Sequence, residues 1–250
     1  MLNQKENNVK IIVANWQMNG DFDFTYHYFK HLCECVLPDH LRLIVCPPLQ
    51  FINLGFRLLM EHEITQICLG AQYVSANTNT NNTGGVSATM LKECGAQVAF
   101  VYNNPNDNSN GKNTANEKVK NLIKENLCPI IGLSIDVAQG ENSINDSISQ
   151  QIQMFLQDIK TLDVLMVAFS IQNAETIDNV LLAQHISNIS TIIRNCILKH
   201  HSIKNIYLLY EENINGANIK QIMANNDIDG IVLTNYSLQI HNFCETLEHL

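Results

Sequence analysis

Glu211 and Glu212 set two carboxylates side by side at the end of an apolar run spanning residues 205–210, with Asn213 next in line. Paired carboxylates suit a cation or a basic ligand and repel an anion. Ser170 closes another apolar run, residues 164–170. With no histidine near it in sequence, its hydroxyl is a poor base and an unactivated nucleophile. Three amides, Asn15, Gln17 and Asn103, stand at or just beyond the ends of two further runs, and Thr234 and Asn235 end the last one. An amide donates hydrogen bonds without charge and can polarise a carbonyl, but it does not shuttle protons near neutral pH. His27, His31 and His40 cluster in sequence, His200 and His201 are adjacent, and Asp229 is a further carboxylate near a strand end. None has the HExxH or EF-hand spacing, so no metal site is expected.

These residues are punctuation in a regular pattern. Strands are expected at residues 10–15, 42–46, 67–72, 98–103, 129–133, 164–170, 205–210 and 230–235, most of them nearly continuous in apolar side chains. Such runs fit parallel strands buried on both faces. Helix-length segments lie between them, among them 24–35, 86–94, 113–126, 147–161, 180–200 and 219–225. Eight alternations without a linker point to a closed α/β barrel occupying residues 1–250 as one domain. A doubly wound open sheet is the alternative, disfavoured because no Gly-x-Gly-x-x-Gly follows the first strand.

Composition narrows the function classes. The chain has 250 residues, 46% of them apolar, and a formal charge of −9. It is long enough for a sizeable core, and its acidity argues against a general attraction to nucleic acid or anionic membrane. No apolar run approaches the roughly 18 residues of a membrane span, and residues 1–8 show neither a secretory h-region nor an Arg-rich transit pattern. An intracellular place is expected, cytoplasmic by default, with a mitochondrial or other organellar place left open. The wealth of Asn and Ile reads as compositional bias. The eight cysteines include no CxxC pair, and Cys33 and Cys35 are too close together to form a zinc knuckle with anything nearby. Several sit in strand-like runs, where cysteine behaves as a small hydrophobe. All eight are expected to be reduced and structural.

Asn15-Trp16-Gln17-Met18-Asn19-Gly20 resembles the opening of the triosephosphate isomerase family, which reads Asn-Trp-Lys-Met-Asn-Gly. Gly70-Ala71-Gln72, Thr83-Gly84 with Val86-Ser87, Lys92-Glu93-Cys94-Gly95, Asn215-Gly216-Ala217-Asn218, Asp227-Ile228-Asp229-Gly230 and Ser237-Leu238 continue the likeness over essentially the full length. The resemblance implies a single (β/α)8 TIM barrel with its site at the C-terminal ends of the strands. In the family a glutamate moves a proton beside a carbonyl that a neutral histidine polarises; a lysine balances charge, and glycine-rich turns hold phosphate on backbone N–H groups.

On that pattern Asn15 is kept, Gln17 stands at the lysine, Asn103 at the histidine and Ser170 at the glutamate. Tyr102-Asn103-Asn104-Pro105-Asn106 replaces Gly-His-Ser-Glu-Arg, so Pro105 takes the place of a supporting glutamate. Glu211, Glu212 and Asn213 replace Gly-Gly-Ser, and Thr234 and Asn235 replace Gly-Gly, so side chains fill the phosphate cradle. An inward carboxylate about 5 Å from a phosphate charge, at an effective dielectric of about 20, costs roughly 3 kcal/mol. The lid run Ala174-Glu175-Thr176-Ile177-Asp178-Asn179 is shorter than the family's and has no glycine hinge. No cofactor is implied. The expected function is that of a catalytically inactive family member with a structural or interaction role, with new chemistry at the barrel mouth or residual glyceraldehyde 3-phosphate/dihydroxyacetone phosphate interconversion as alternatives. Thr83 and Gly84 lie in a segment, 72–87, that in the family reaches into a partner subunit. A protein partner is therefore expected, either a second copy or a larger complex.

Overall fold

The computed structural model describes residues 9–78, 81–103 and 114–250. Its first half runs β1 (Lys10–Asn15), α1 (Phe22–Glu34), β2 (Leu41–Cys46), α2 (Ile52–Glu61), β3 (Ile67–Ala71), α3 (Ala88–Glu93), β4 (Ala96–Val101) and α4 (Thr114–Lys124). The second half runs β5 (Cys128–Ile135), α5 (Glu141–Leu156), β6 (Thr161–Ile171), α6 (Asn179–His200), β7 (Ser202–Glu211), α7 (Ile219–Met223), β8 (Gly230–Leu233) and α8 (Ile240–Glu248). The strands pair in sequence order, all parallel, and β8 returns to β1, closing the barrel. The expected single (β/α)8 barrel is what the chain forms.

Period-two alternation sorts each strand into two cores. Ile11 and Val13, Val98 and Phe100, Met166 and Ala168, Tyr207 and Leu209, and Val232 belong to a cluster built only from strand residues, which fills the barrel. Their neighbours Ile12, Ala99, Val167, Leu208 and Ile231 join a larger cluster that includes the helices. Gly230 shows how tightly the closure is drawn. A Cβ there would lie 1.8 Å from the Ile11 carbonyl oxygen, so only glycine starts β8 against β1.

The helices begin where side chains satisfy their first N–H groups. Asp21 accepts from Phe24 N at 2.8 Å, and Asp178 from Val180 N and Leu181 N at 3.0 Å each. Along α1 the buried residues Thr25, Tyr28, Phe29 and Leu32 form one stripe against the barrel.

One expectation is corrected here. Cys35, the residue ending α1, is disulfide-bonded to Cys244 of α8, so not all cysteines are reduced. Barrel closure packs the first helix against the last and joins residues 209 apart in sequence, a proximity that local spacing does not reveal. The other six cysteines are free thiols. Asp229 lies just before β8, at the opposite end of the barrel from Glu211. Its Oδ2 pairs with Arg194 of α6 at 2.5 Å and accepts from Leu208 N at 2.9 Å. It ties α6 to β7 and β8 and is remote from any mouth chemistry.

Candidate functional site

The alternation that fills the barrel also aims its upper rim. With Val13, Phe100, Ala168, Leu209 and Val232 inside, the next inward positions are Asn15, Tyr102, Ser170, Glu211 and Thr234. Seven of the expected site residues, Gln17, Ser170, Glu211, Glu212, Asn213, Thr234 and Asn235, line one cavity of about 620 Å³ at this end. Asn15 lies beneath it, 7% exposed, its Oδ1 accepting from Gln17 N at 3.3 Å. Asn103 is exposed and does not line the cavity; Tyr102 does. The parity that turns Phe100 inward turns Tyr102 inward as well, which is why the side chain that enters the mouth is one residue earlier than expected. Pro105 and Asn106 lie outside the described residues.

Tyr102 is the residue that shapes the mouth. Its ring stacks on Phe100 with centroids 5.3 Å apart and planes 7° from parallel. It lies over Gly132, where a Cβ would come within 2.2 Å of the ring. Its hydroxyl donates to the Glu211 carboxylate, 3.1 Å from Oε2 and 3.2 Å from Oε1. Burial pushes the Glu211 carboxyl up to about 7; the Tyr102 hydrogen bond opposes the rise and the Glu212 charge adds to it. Burial, reinforced by Glu211, raises the Tyr102 phenol too, so the phenol stays protonated and remains the donor.

The turn after β7 keeps a glycine-like backbone without glycine. Glu212 has φ 112° and Asn213 φ 52°. Asn218 Nδ2 donates to Asn213 O at 2.7 Å, and Asn215 N donates to Asn218 Oδ1 at 2.8 Å, which holds the turn. Glu212 and Asn213 thus hold left-handed backbone without glycine. Gln17, with φ 55°, is held in the same way. Of the two carboxylates only Glu211 is turned in and half-buried; Glu212 is exposed at the rim.

Among the described residues, no lysine, arginine or histidine lines the cavity. The histidines lie on helices or the loops beside them: His27 and His31 on α1, His185 and His200 on α6, His241 on α8, and His40, His62, His201 and His249 just outside elements.

A sequence profile of the triosephosphate isomerase family matches residues 10–250. The chain belongs to that family. The triosephosphate isomerase of Alkaliphilus oremlandii is 26% identical over 246 residues, covering 93% of this chain and 96% of the relative. Those of Buchnera aphidicola subsp. Cinara cedri and Mycoplasma mobile are 24% and 23% identical, covering 95% and 96% of this chain and 97% and 99% of their own lengths.

Two loops of this family member bear on its chemistry. After β6, Gln172 N donates to Ile135 O at 2.8 Å and Gln172 Nε2 to Ser134 Oγ at 3.2 Å. Asn173, at φ 56°, then leads into a short 3-10 turn, Ala174–Thr176, closed by Thr176 Oγ1 donating to Asn173 O at 2.8 Å. The segment is tied to β5 and runs directly into the Asp178 cap of α6. The second loop follows β3. Ser75 N donates to Val86 O at 2.8 Å, Asn121 Nδ2 donates to Ala76 O at 3.0 Å, and Thr83 and Gly84 are exposed. At its root, Met18, Leu49 and Tyr73 are 99%, 41% and 49% exposed around a groove of about 340 Å³.

Proposed function

We propose that this member of the triosephosphate isomerase family does not interconvert triose phosphates and that its barrel serves a structural or interaction role. The observation that carries the reading is the character of the mouth cavity. Its charged lining among the described residues is two carboxylates, one of them bonded to a tyrosine that lines the same cavity. A phosphate dianion entering such a cavity meets like charge and, among the described residues, no cation. The reaction also needs a base, and at the position where the family places its glutamate this chain has Ser170. General acid and base groups contribute about 10²–10⁴ each in rate, so the absence of both, with Gln17 at the lysine position, leaves little. Steady-state isomerase assay of the purified chain is the test. Turnover at least roughly a thousandfold below that of the relatives is expected; a rate within a hundredfold of theirs overturns the proposal.

The interaction half rests on the exposed apolar side chains around Met18 and on the exposed Thr83-Gly84 segment. Together they suit a protein partner, a second copy or a member of a larger assembly. Native mass spectrometry and cross-linking at Met18→Cys test it, with a partner at this face expected.

Glu211 favours a second reading. A carboxyl whose pKa is near 7 is suited to proton transfer or to a cationic ligand. A thermal-shift screen of amines and cations separates the two readings, since a Glu211-dependent hit supports ligand chemistry at the mouth and a blank screen leaves the structural role.

A further inference from the structure

The disulfide seam between α1 and α8 holds more than two sulfurs. His31 precedes Cys35 by four residues at the end of α1, and His241 precedes Cys244 by three on α8. Spacings of three and four put both side chains of each pair on one helix face, and the two faces meet. The rings of His31 and His241 are 4.4 Å apart between centroids, inclined by 72°. Potential ligand atoms of His31, Cys35 and Cys244 all lie within 4.8 Å of one another. A disulfide needs only its two cysteines. Nothing in a disulfide calls for two histidines converging from the same helices, whereas a four-coordinate zinc site calls for this donor set.

We propose that the α1–α8 seam is a redox-switched zinc site. In the oxidised form Cys35 and Cys244 are bonded to each other. In the reduced form their thiolates, with His31 and His241, hold one Zn²⁺. Tetrahedral zinc takes sulfur at about 2.3 Å and nitrogen at about 2.0–2.1 Å, which sets its donors roughly 3.3–3.8 Å apart. The ligand atoms of His31, Cys35 and Cys244, within 4.8 Å of one another, would draw together to that size, and His241, its ring 4.4 Å from that of His31, would turn a nitrogen toward them. The exchange balances with a dithiol as reductant. The dithiol passes two electrons and two protons to the disulfide and becomes a disulfide itself, and Zn²⁺ then displaces the two protons from Cys35 and Cys244. Access is available from solvent, since His241 is exposed and His31 and Cys35 are half-buried. Cys33 is on a different face, its Sγ 3.9 Å from Leu58 O. In either state the first and last helices stay cross-linked.

The test uses the full chain with Co²⁺ as a spectroscopic probe for Zn²⁺. After reduction and removal of the reductant, one Co²⁺ per chain is expected, with thiolate charge-transfer and tetrahedral ligand-field bands that Zn²⁺ abolishes. Oxidised chain should give no such bands. Cys35→Ser should eliminate the bands, and His31→Ala and His241→Ala should each weaken affinity by at least about tenfold. Because the histidine variants retain both cysteines, their oxidised forms serve as folding controls by circular dichroism. Zinc should raise the melting temperature of the reduced wild-type chain and not that of reduced His31→Ala. The proposal is overturned if the reduced chain takes up no stoichiometric Co²⁺, whether folded or unfolded. Uptake indifferent to Cys35→Ser and His31→Ala also overturns it, by assigning the metal to the other six thiols.

Discussion

Glu211 is the residue whose environment and charge are most at odds. Its carboxyl is raised to about 7, so between about pH 4.5 and 7 the folded chain binds more protons than the unfolded one. Stability therefore falls as pH rises through that window. Glu211→Gln keeps a partner for Tyr102 and removes the charge. The variant should be more stable than wild type by about 1–3 kcal/mol at about pH 8 and no more stable at about pH 4. Urea unfolding at both pH values checks this, and a pH-independent difference would show that burial of the charge is not the cause. Glu212 poses a backbone question instead. A non-glycine residue at φ 112° stores roughly 1–3 kcal/mol, so Glu212→Gly should raise the unfolding free energy by about 1 kcal/mol despite the entropy of glycine in the unfolded chain. Most of the site was legible at this scale, because substitutions at strand ends are visible as letters. The contact between Tyr102 and Glu211 was not. It joins residues 109 apart in sequence, and the family pattern points to Asn103 whereas the inward parity of Phe100 aims Tyr102.

Between residues and the whole, β4 and β5 act together through Gly132. Gly132→Ala would put a methyl group into the Tyr102 ring, displacing it from the mouth and breaking its bond to Glu211. A cost of about 1–3 kcal/mol is expected. In the double variant with Tyr102→Ala that cost should largely vanish, since the clashing ring is gone; chemical denaturation of the four proteins reads the coupling. Elements were legible where apolar periodicity was strong and blurred where it was not. β1 and the bulk of α6 stand where expected. α5 runs Glu141–Leu156 against an expected 147–161, because its first turn, Glu141-Asn142-Ser143, is polar and is started by Gly140 with no side-chain cap. Residues 157–161, read as helix, are the turn and first residue of β6.

At the scale of the molecule, eight buried strands each leave an apolar run, so alternation points to a closed parallel barrel, and the family motifs decide it against an open sheet. What alternation could not show is which helices touch across the closure. The Cys35–Cys244 bond depends on that contact. A cross-link enclosing about 200 residues removes enough chain entropy from the unfolded state to be worth about 5 kcal/mol. Reduction in the absence of metal should lower the unfolding free energy by an amount of that order, read as a shift in urea midpoint. Arg194 and Asp229 brace the other end, and Asp229→Ala should cost about 2–4 kcal/mol by stranding Arg194 and Leu208 N.

The same bond decides how the chain answers mechanical load. Pulled by its two ends, the oxidised molecule can pay out only the stretches before Cys35 and after Cys244, plus the 6.0 Å between their Cα atoms. The contour in between, about 3.5 Å for each of the 209 residue steps, stays shielded from tension until the sulfurs are parted. Between Cys35 and Cys244 the chain is in effect a closed ring: β1 and α1, which precede Cys35, still feel the load, and reduction without metal decides whether it passes on into β2–β8.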